Sequence, residues 1–127
     1  MGASQRRKGQ SGERELFALL SEELGTIVRR NVDQARAGGA DGLEIPGWAI
    51  EVKRQETRSW LPAWWVQAHD QAFALGRHPI LFYRASRQPW RAVVGLDLLA
   101  PTIFAGKASV AEIGFKAACL LIRESLK

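Results

Sequence analysis

The sequence predicts one α/β domain, a central mixed β-sheet flanked by helices, with elements in the order αβββαββα. Three observations lead there. Apolar residues recur at helical spacing near both ends of the chain and once in its middle. Short β-branched or alternating runs lie between those stretches, and glycine- or proline-bearing segments separate the two patterns. The chain has 127 residues, enough for one core and too few for two.

Residues 1–10, MGASQRRKGQ, predict a flexible basic arm, and residues 11–127 the folded domain. A helix is expected over 12–24, with Ser11 as its cap, Glu13 and Glu15 in its first turn and Gly25 at its end. TIVRRNV (26–32) has the β-branching of a strand, and DQARAGGA is a glycine-bearing loop. Two hairpin strands follow at about 41–45 and 48–54, joined by the turn signal Pro46-Gly47. The second helix, 60–75, tolerates Pro62 in its first turn and buries Leu61, Trp65, Ala68, Ala72 and Leu75. PILFYR (79–84) and WRAVVGL (90–96) read as strands. SVAE at 109–112 has the pattern of a capping box, opening a last helix to about 126.

Composition bounds the partners. Net charge is +5 with a pI near 10.0, which favours an anionic partner, nucleic acid first. No apolar run approaches the roughly 20 residues of a membrane span, and the basic N-terminus leads into no apolar segment of a secretory signal. The single cysteine, Cys119, cannot form an internal disulfide; it predicts a buried helical thiol and a cytoplasmic setting.

The chemistry concentrates in ADGLEIPGWAIEVKRQ, residues 40–55. A side-chain period of two puts Trp48, Ile50 and Val52 on one face of the second hairpin strand and Ala49, Glu51 and Lys53 on the other. If the turn spans 46–48, Asp41 lies opposite Lys53 and Leu43 opposite Glu51. A two-residue turn sets Asp41 opposite Val52 and points it away, unless Asp41 precedes the regular strand. Two adjacent carboxylates stay ionised together only around a cation, and hard oxygen ligands with open positions describe magnesium. The backbone carbonyl of Val52 is a further candidate ligand, and Lys53 a positive charge near the reacting phosphate. Glu13 shares a helix stripe with Phe17, Leu20 and Leu24, so it extends the face expected to meet the sheet. Each residue also has an ordinary role: Glu51 and Lys53 on a solvated sheet face, Glu13 against the helix dipole, Asp41 in a turn.

GERE, ADG and AIEVKRQ, in that order, resemble the PD-(D/E)XK nuclease superfamily, in the branch of archaeal Holliday junction resolvases and their phage or prophage relatives. LPAWWVQAHDQAFALGRHPILFYRASRQPWRAVV is similar to the phage-type members, with a Trp-rich, Gln-bearing helix before a P-x-L-x-Y-R strand. The likeness runs from about Ser11 to Val94; it departs from the motif in that Ala40, not proline, precedes Asp41, a position at which many members vary. It implies a restriction-endonuclease-like domain and a magnesium-dependent DNA endonuclease, with manganese as a substitute ion. Asp41 and Glu51 would ligate the metal, Glu13 would complete the site, and Lys53 would position or activate the water. In-line attack would leave a 5′-phosphate and a 3′-hydroxyl. Gln67 would orient a phosphate or Lys53 from the second helix, with Gln71 one turn on as the lesser candidate.

Arg6, Arg7, Lys8, Arg29, Arg30 and Arg84 are the candidate phosphate contacts. Trp65 reads as core, and Trp60 and Trp64 as packing beneath a loop, with cover for a neighbouring subunit or a platform for an unpaired base as the alternatives. His69-Asp70 and His78 read as surface or structural residues, since no nucleophile or zinc set accompanies them. AGGADG lacks the lysine and spacing of a phosphate loop. The expected activity is cleavage of branched DNA by a homodimer, which presents two sites to two strands. Nicking or trimming of duplex DNA, and DNA binding through a vestigial nuclease site, are the alternatives.

Overall fold

A computed structural model of the chain describes residues 3–31, 40–56, 60, 62–104 and 109–127, the stretch 3–10 by its backbone alone. Helix α1 spans Ala3–Leu24 and strand β1 Trp48–Gln55. Helix α2 (Pro62–Ala74), strands β2 (His78–Ala85) and β3 (Arg91–Gly95), the short helix α3 (Leu96–Leu99), strand β4 (Val110–Gly114) and helix α4 (Phe115–Ser125) complete the order. The sheet runs β1-β2-β3-β4. β1 and β2 are parallel, so the chain must cross over between them, and α2 is that crossover. The other two pairs are antiparallel. The α/β class and the single four-stranded mixed sheet agree with the sequence reading.

Two layers of side chains cover the sheet. Leu16, Phe17 and Leu20 of α1 and Ala118, Cys119 and Ile122 of α4 pack on Trp48, Ile50, Val52, Ile80, Phe82, Ala92 and Val94. On the opposite face Trp64, Trp65 and Ala68 of α2 meet Leu81, Tyr83 and Val93, with Trp60 half-buried against them. The tryptophans are therefore packing residues, and Cys119 is a buried thiol pushed up to about 11 by burial.

Several elements differ from expectation. α1 begins at Ala3, so helix replaces the arm expected up to residue 10, and Ser11 lies inside the helix and caps nothing. Thr26–Asn31 forms no strand. The Ser21 hydroxyl engages both the N–H and the carbonyl of Val28 (2.9 and 3.2 Å), supplying locally what a ladder would have supplied. Of the strand expected at 41–45 only a bridge from Gly42 to Ile50 remains. The Pro46-Gly47 turn does form, closed by the Trp48 N–H on the Ile45 carbonyl at 3.1 Å. Arg77 clamps it, donating to the carbonyls of Leu43 (2.6 Å) and Trp48 (3.0 Å).

The capping box is overturned. Val110–Gly114 is the fourth strand, and Glu112 accepts a hydrogen bond from Arg91 on the neighbouring strand at 2.8 Å. A Ser-x-x-Glu pattern serves a helix only if the glutamate is free to turn back, and here a cross-strand arginine holds it. The order is thus αβαββαβα.

Candidate active site

The site is built on β1. Trp48, Ile50 and Val52 point into the core beneath α1 and α4. Ala49 packs with Ala72 of α2, and Glu51 and Lys53 stand beside Leu81 and Tyr83 in the parallel ladder, so all three face the α2 side. The period of two assigned from the sequence is the one observed.

Asp41 reaches this strand through a bulge. The N–H groups of Asp41 and Gly42 both donate to the Ile50 carbonyl (2.9 and 3.1 Å), and the Ile50 N–H donates to the Gly42 carbonyl at 2.9 Å. Two residues stand against one, so neither register expected from the turn length occurs. The Asp41 carboxyl then folds over the strand's edge, where Oδ2 accepts the Val52 N–H at 2.7 Å. Ile50 exchanges both its backbone groups with Gly42, so alternation turns the N–H and carbonyl of Val52 to that same edge. Asn31 supports the loop, donating its N–H to the Asp41 carbonyl at 2.6 Å and its side-chain amide to the Ala40 carbonyl at 3.0 Å.

Asp41 and Glu51 are 5% and 4% exposed. Burial, then the charge of Glu51 and the hydrogen bond between the two side chains, pushes Asp41 up to about 9. Glu51 is also raised, first by burial, against the opposing pull of the Asp41 hydrogen bond and of Lys53. With no cation present the pair shares a proton at neutral pH. The Lys53 ammonium lies 3.8 Å from Glu51 Oε1. Glu51 Oε2 is buried with no hydrogen-bond partner among the described residues. Glu13 lies close enough to raise both acids electrostatically, while its own carboxylate is held by Arg30 at 3.2 Å.

These groups suit a small, hard cation. Two buried acids repel, one acceptor oxygen has nothing to accept from, and a backbone carbonyl faces the same edge. Among the described residues no three His, Cys, Asp or Glu side chains gather at metal-binding range. The carboxylate pair is the assembled part, and Glu13 stands beside it engaged with arginine.

Other candidates fall elsewhere. Gln67 is exposed on α2, whereas Gln71 buries an Oε1 that has no partner among the described residues. Arg84 is committed to the fold: it meets Glu15 at 2.5 Å and the Gln88 carbonyl at 2.9 Å, and Trp90 donates to the same Glu15 oxygen at 2.8 Å. Arg29 is exposed and paired with Glu44 at 3.0 Å. The side chains of Arg6, Arg7 and Lys8 lie outside the described residues. His69 meets Asp70 at 3.4 Å and stacks on Phe73 with ring centroids 6.3 Å apart, and His78 packs its ring against Trp48 at 5.6 Å.

Sequence reasoning missed Tyr83, which stands next to Lys53 on the neighbouring strand. Burial and Glu112 push its phenol up to about 12. The alternation of PILFYR, set parallel to that of AIEVKRQ, was the signal that could have found it. No described helix is long and apolar enough to cross a membrane. A family model described as "Phage putative PDDEXK endonuclease" matches residues 4–117, a span that includes Glu13, Asp41, Glu51 and Lys53. No curated protein and no solved structure matches the chain.

Proposed function

The chain belongs to this family of phage PD-(D/E)XK endonucleases, and from that premise we propose a metal-dependent DNA endonuclease centred on Asp41, Glu51 and Lys53. The observation that carries the reading is the buried Asp41–Glu51 pair, with Glu51 Oε2 unpartnered and a lysine alongside. Asp41, Glu51 and the Val52 carbonyl would hold a divalent ion, magnesium or in its place manganese, with Glu13 joining when Arg30 releases it. Such an ion supplies charge neutralisation at the scissile phosphate and an acidified water. The chain's own residues supply the rest. Val52 N–H fixes the Asp41 carboxyl. Burial of the two acids lowers the local dielectric and strengthens every charge within it. Lys53 offers a fixed ammonium where negative charge develops during in-line attack by water, which breaks the bond to the 3′ oxygen and leaves a 5′-phosphate. Gln67, exposed on helix α2, and Gln71, which buries an oxygen with no partner among the described residues, are the helix α2 candidates for orienting a phosphate.

Likeness to junction resolvases favours branched DNA, cut by two chains related by symmetry in the host cytoplasm. Cutting of plain duplex by a single chain is the competing outcome. Matched four-way, flap, nicked and linear DNAs, incubated with Mg²⁺, with Mn²⁺ or with chelator, test the proposal. Expected are cleavage that needs the ion, preference for the branched forms, and loss of cleavage without loss of binding in Lys53→Ala. Ion-independent cleavage, or full activity in Lys53→Ala, would refute it.

A further inference from the structure

The turn between β2 and β3 places an arginine where the backbone calls for glycine. The Gln88 N–H closes the turn on the Ala85 carbonyl at 3.1 Å, which makes Ser86 and Arg87 its two central residues. Arg87 has a φ of 64°, and among the described residues only glycines share a positive φ with it. A negative φ followed by a positive one is the sign pattern of a type II turn, whose second central position favours glycine or asparagine. Arginine there carries a backbone cost that glycine would not. Such a cost persists only where the surroundings enforce it, and it concentrates at working sites. The enforcement is visible: Arg84 Nε donates to the Gln88 carbonyl at 2.9 Å, and buried Trp90 is fixed to Glu15 at 2.8 Å, so the turn is held from both strands.

The three arginines of this hairpin differ in what holds them. Arg84 is bound to Glu15, and Arg91 to Glu112 at 2.8 Å. Arg87 is exposed at the tip and meets no carboxylate among the described residues. Its place in the fold gives the free charge a use. β1 and β2 are parallel with Lys53 beside Tyr83, so the turn projects past the end of the sheet toward which Lys53 lies. At a strand's rise per residue the tip stands roughly 10–13 Å beyond the row of Lys53, about three or four base-pair steps of a duplex. Tyr83, Ala85, Arg91 and Glu112, on the face that bears Lys53, line an open hollow of about 540 Å³ leading to the turn, and no residue of α2 lines it. Phosphates cover the outside of a duplex and face any surface laid against it, so a free guanidinium meets one without entering a groove.

We infer that Arg87 contacts a backbone phosphate of the DNA arm next to the cut, the β2–β3 turn serving as a fixed rest for that arm. The inference rests on the nuclease reading and extends it to how a duplex is laid along the sheet. It accounts for an arginine at a position where glycine would fold better.

Arg87→Gly sets folding and binding against each other, because it removes the strain and the charge together. Its thermal midpoint should rise by a few degrees. Its affinity for a labelled duplex, measured in chelator by fluorescence anisotropy, should fall several-fold, and the salt slope should shrink by about 1. Arg87→Lys keeps both charge and strain, so it should restore the slope and leave the midpoint at the wild-type value. An arginine with a merely structural role gives the reverse in Arg87→Gly, a lower midpoint with unchanged binding, and that result overturns the inference. A loss of affinity confined to A·T-rich duplexes puts the guanidinium in the minor groove and overturns the phosphate contact. Cleavage with Mg²⁺ is followed in parallel. A wild-type chain that cuts DNA but binds it no better than Arg87→Gly removes the turn's role alone. A reduced salt slope in Arg87→Gly, with no cleavage by the wild type, keeps the contact and removes the nuclease reading. No binding to DNA removes both.

Discussion

On the side of β1 that meets α1 and α4, Trp48, Ile50 and Val52 are packed among apolar neighbours. One polar group there, the Trp48 indole N–H, is matched to the Ser125 hydroxyl at 2.8 Å. On the side that meets α2, a single residue along the same strand, Glu51 is equally buried but keeps an oxygen unmatched and shares a proton with Asp41. Both sides exclude water. The first spends that exclusion on stability, because among the described residues no buried side-chain polar atom there lacks a partner. The second holds charge that its surroundings disfavour, and such frustration is what a bound ion can relieve. Two residues in direct succession, Ile50 and Glu51, therefore belong to different economies of the molecule.

Substitutions at those neighbours should separate the two sides. Glu51→Gln is expected to reduce cleavage by at least about 10³-fold, with metal-free thermal stability unchanged or higher; a measurable loss of stability would mean that the acid is structural. Ile50→Ala should do the reverse, costing about 2–5 kcal/mol in urea unfolding while the folded fraction cuts DNA normally. Asp41→Asn keeps an acceptor for the Val52 N–H but removes the titration. Asp41 is raised from 3.8 to about 9, so between those values the folded chain retains a proton that the unfolded chain releases, and metal-free stability falls as pH rises through the interval. Asparagine has no proton to lose. The variant should be more stable than the parent by at least about 1 kcal/mol at pH 8, and the gap should shrink toward pH 4. A gap that does not change with pH would contradict the shared proton. The smallest effect is expected on the satisfied side: Ser125→Ala leaves the Trp48 N–H unmatched and should cost about 1 kcal/mol with no change in cleavage.

The same contrast explains what could be read from the sequence. Alternation along 48–54 is local, so the division of Ile50 from Glu51 was legible, and so were α2, β2 and β3 from their own patterns. The approach of Asp41 was not, because the bulge that sets it depends on which backbone groups Ile50 offers and on no turn rule. Glu112 misled for a related reason. Ser-x-x-Glu is the same four letters whether the glutamate caps a helix or meets Arg91 across a sheet, and only the partner distinguishes the two. Gln67 and Gln71 are both polar residues of one helix, and which of them turns inward depends on how Ala68 and Ala72 seat that helix on the sheet.

Gly42 ties these threads together. A Cβ at this position would fall 2.5 Å from the Phe17 ring and 3.3 Å from Ile50, so the bulge that carries Asp41 rests directly on a helix side chain. Any larger residue must lift the loop, and the aspartate travels with it. In a saturation library selected for cutting, codon 42 should tolerate replacement as poorly as the acids themselves, although its residue offers substrate nothing to touch.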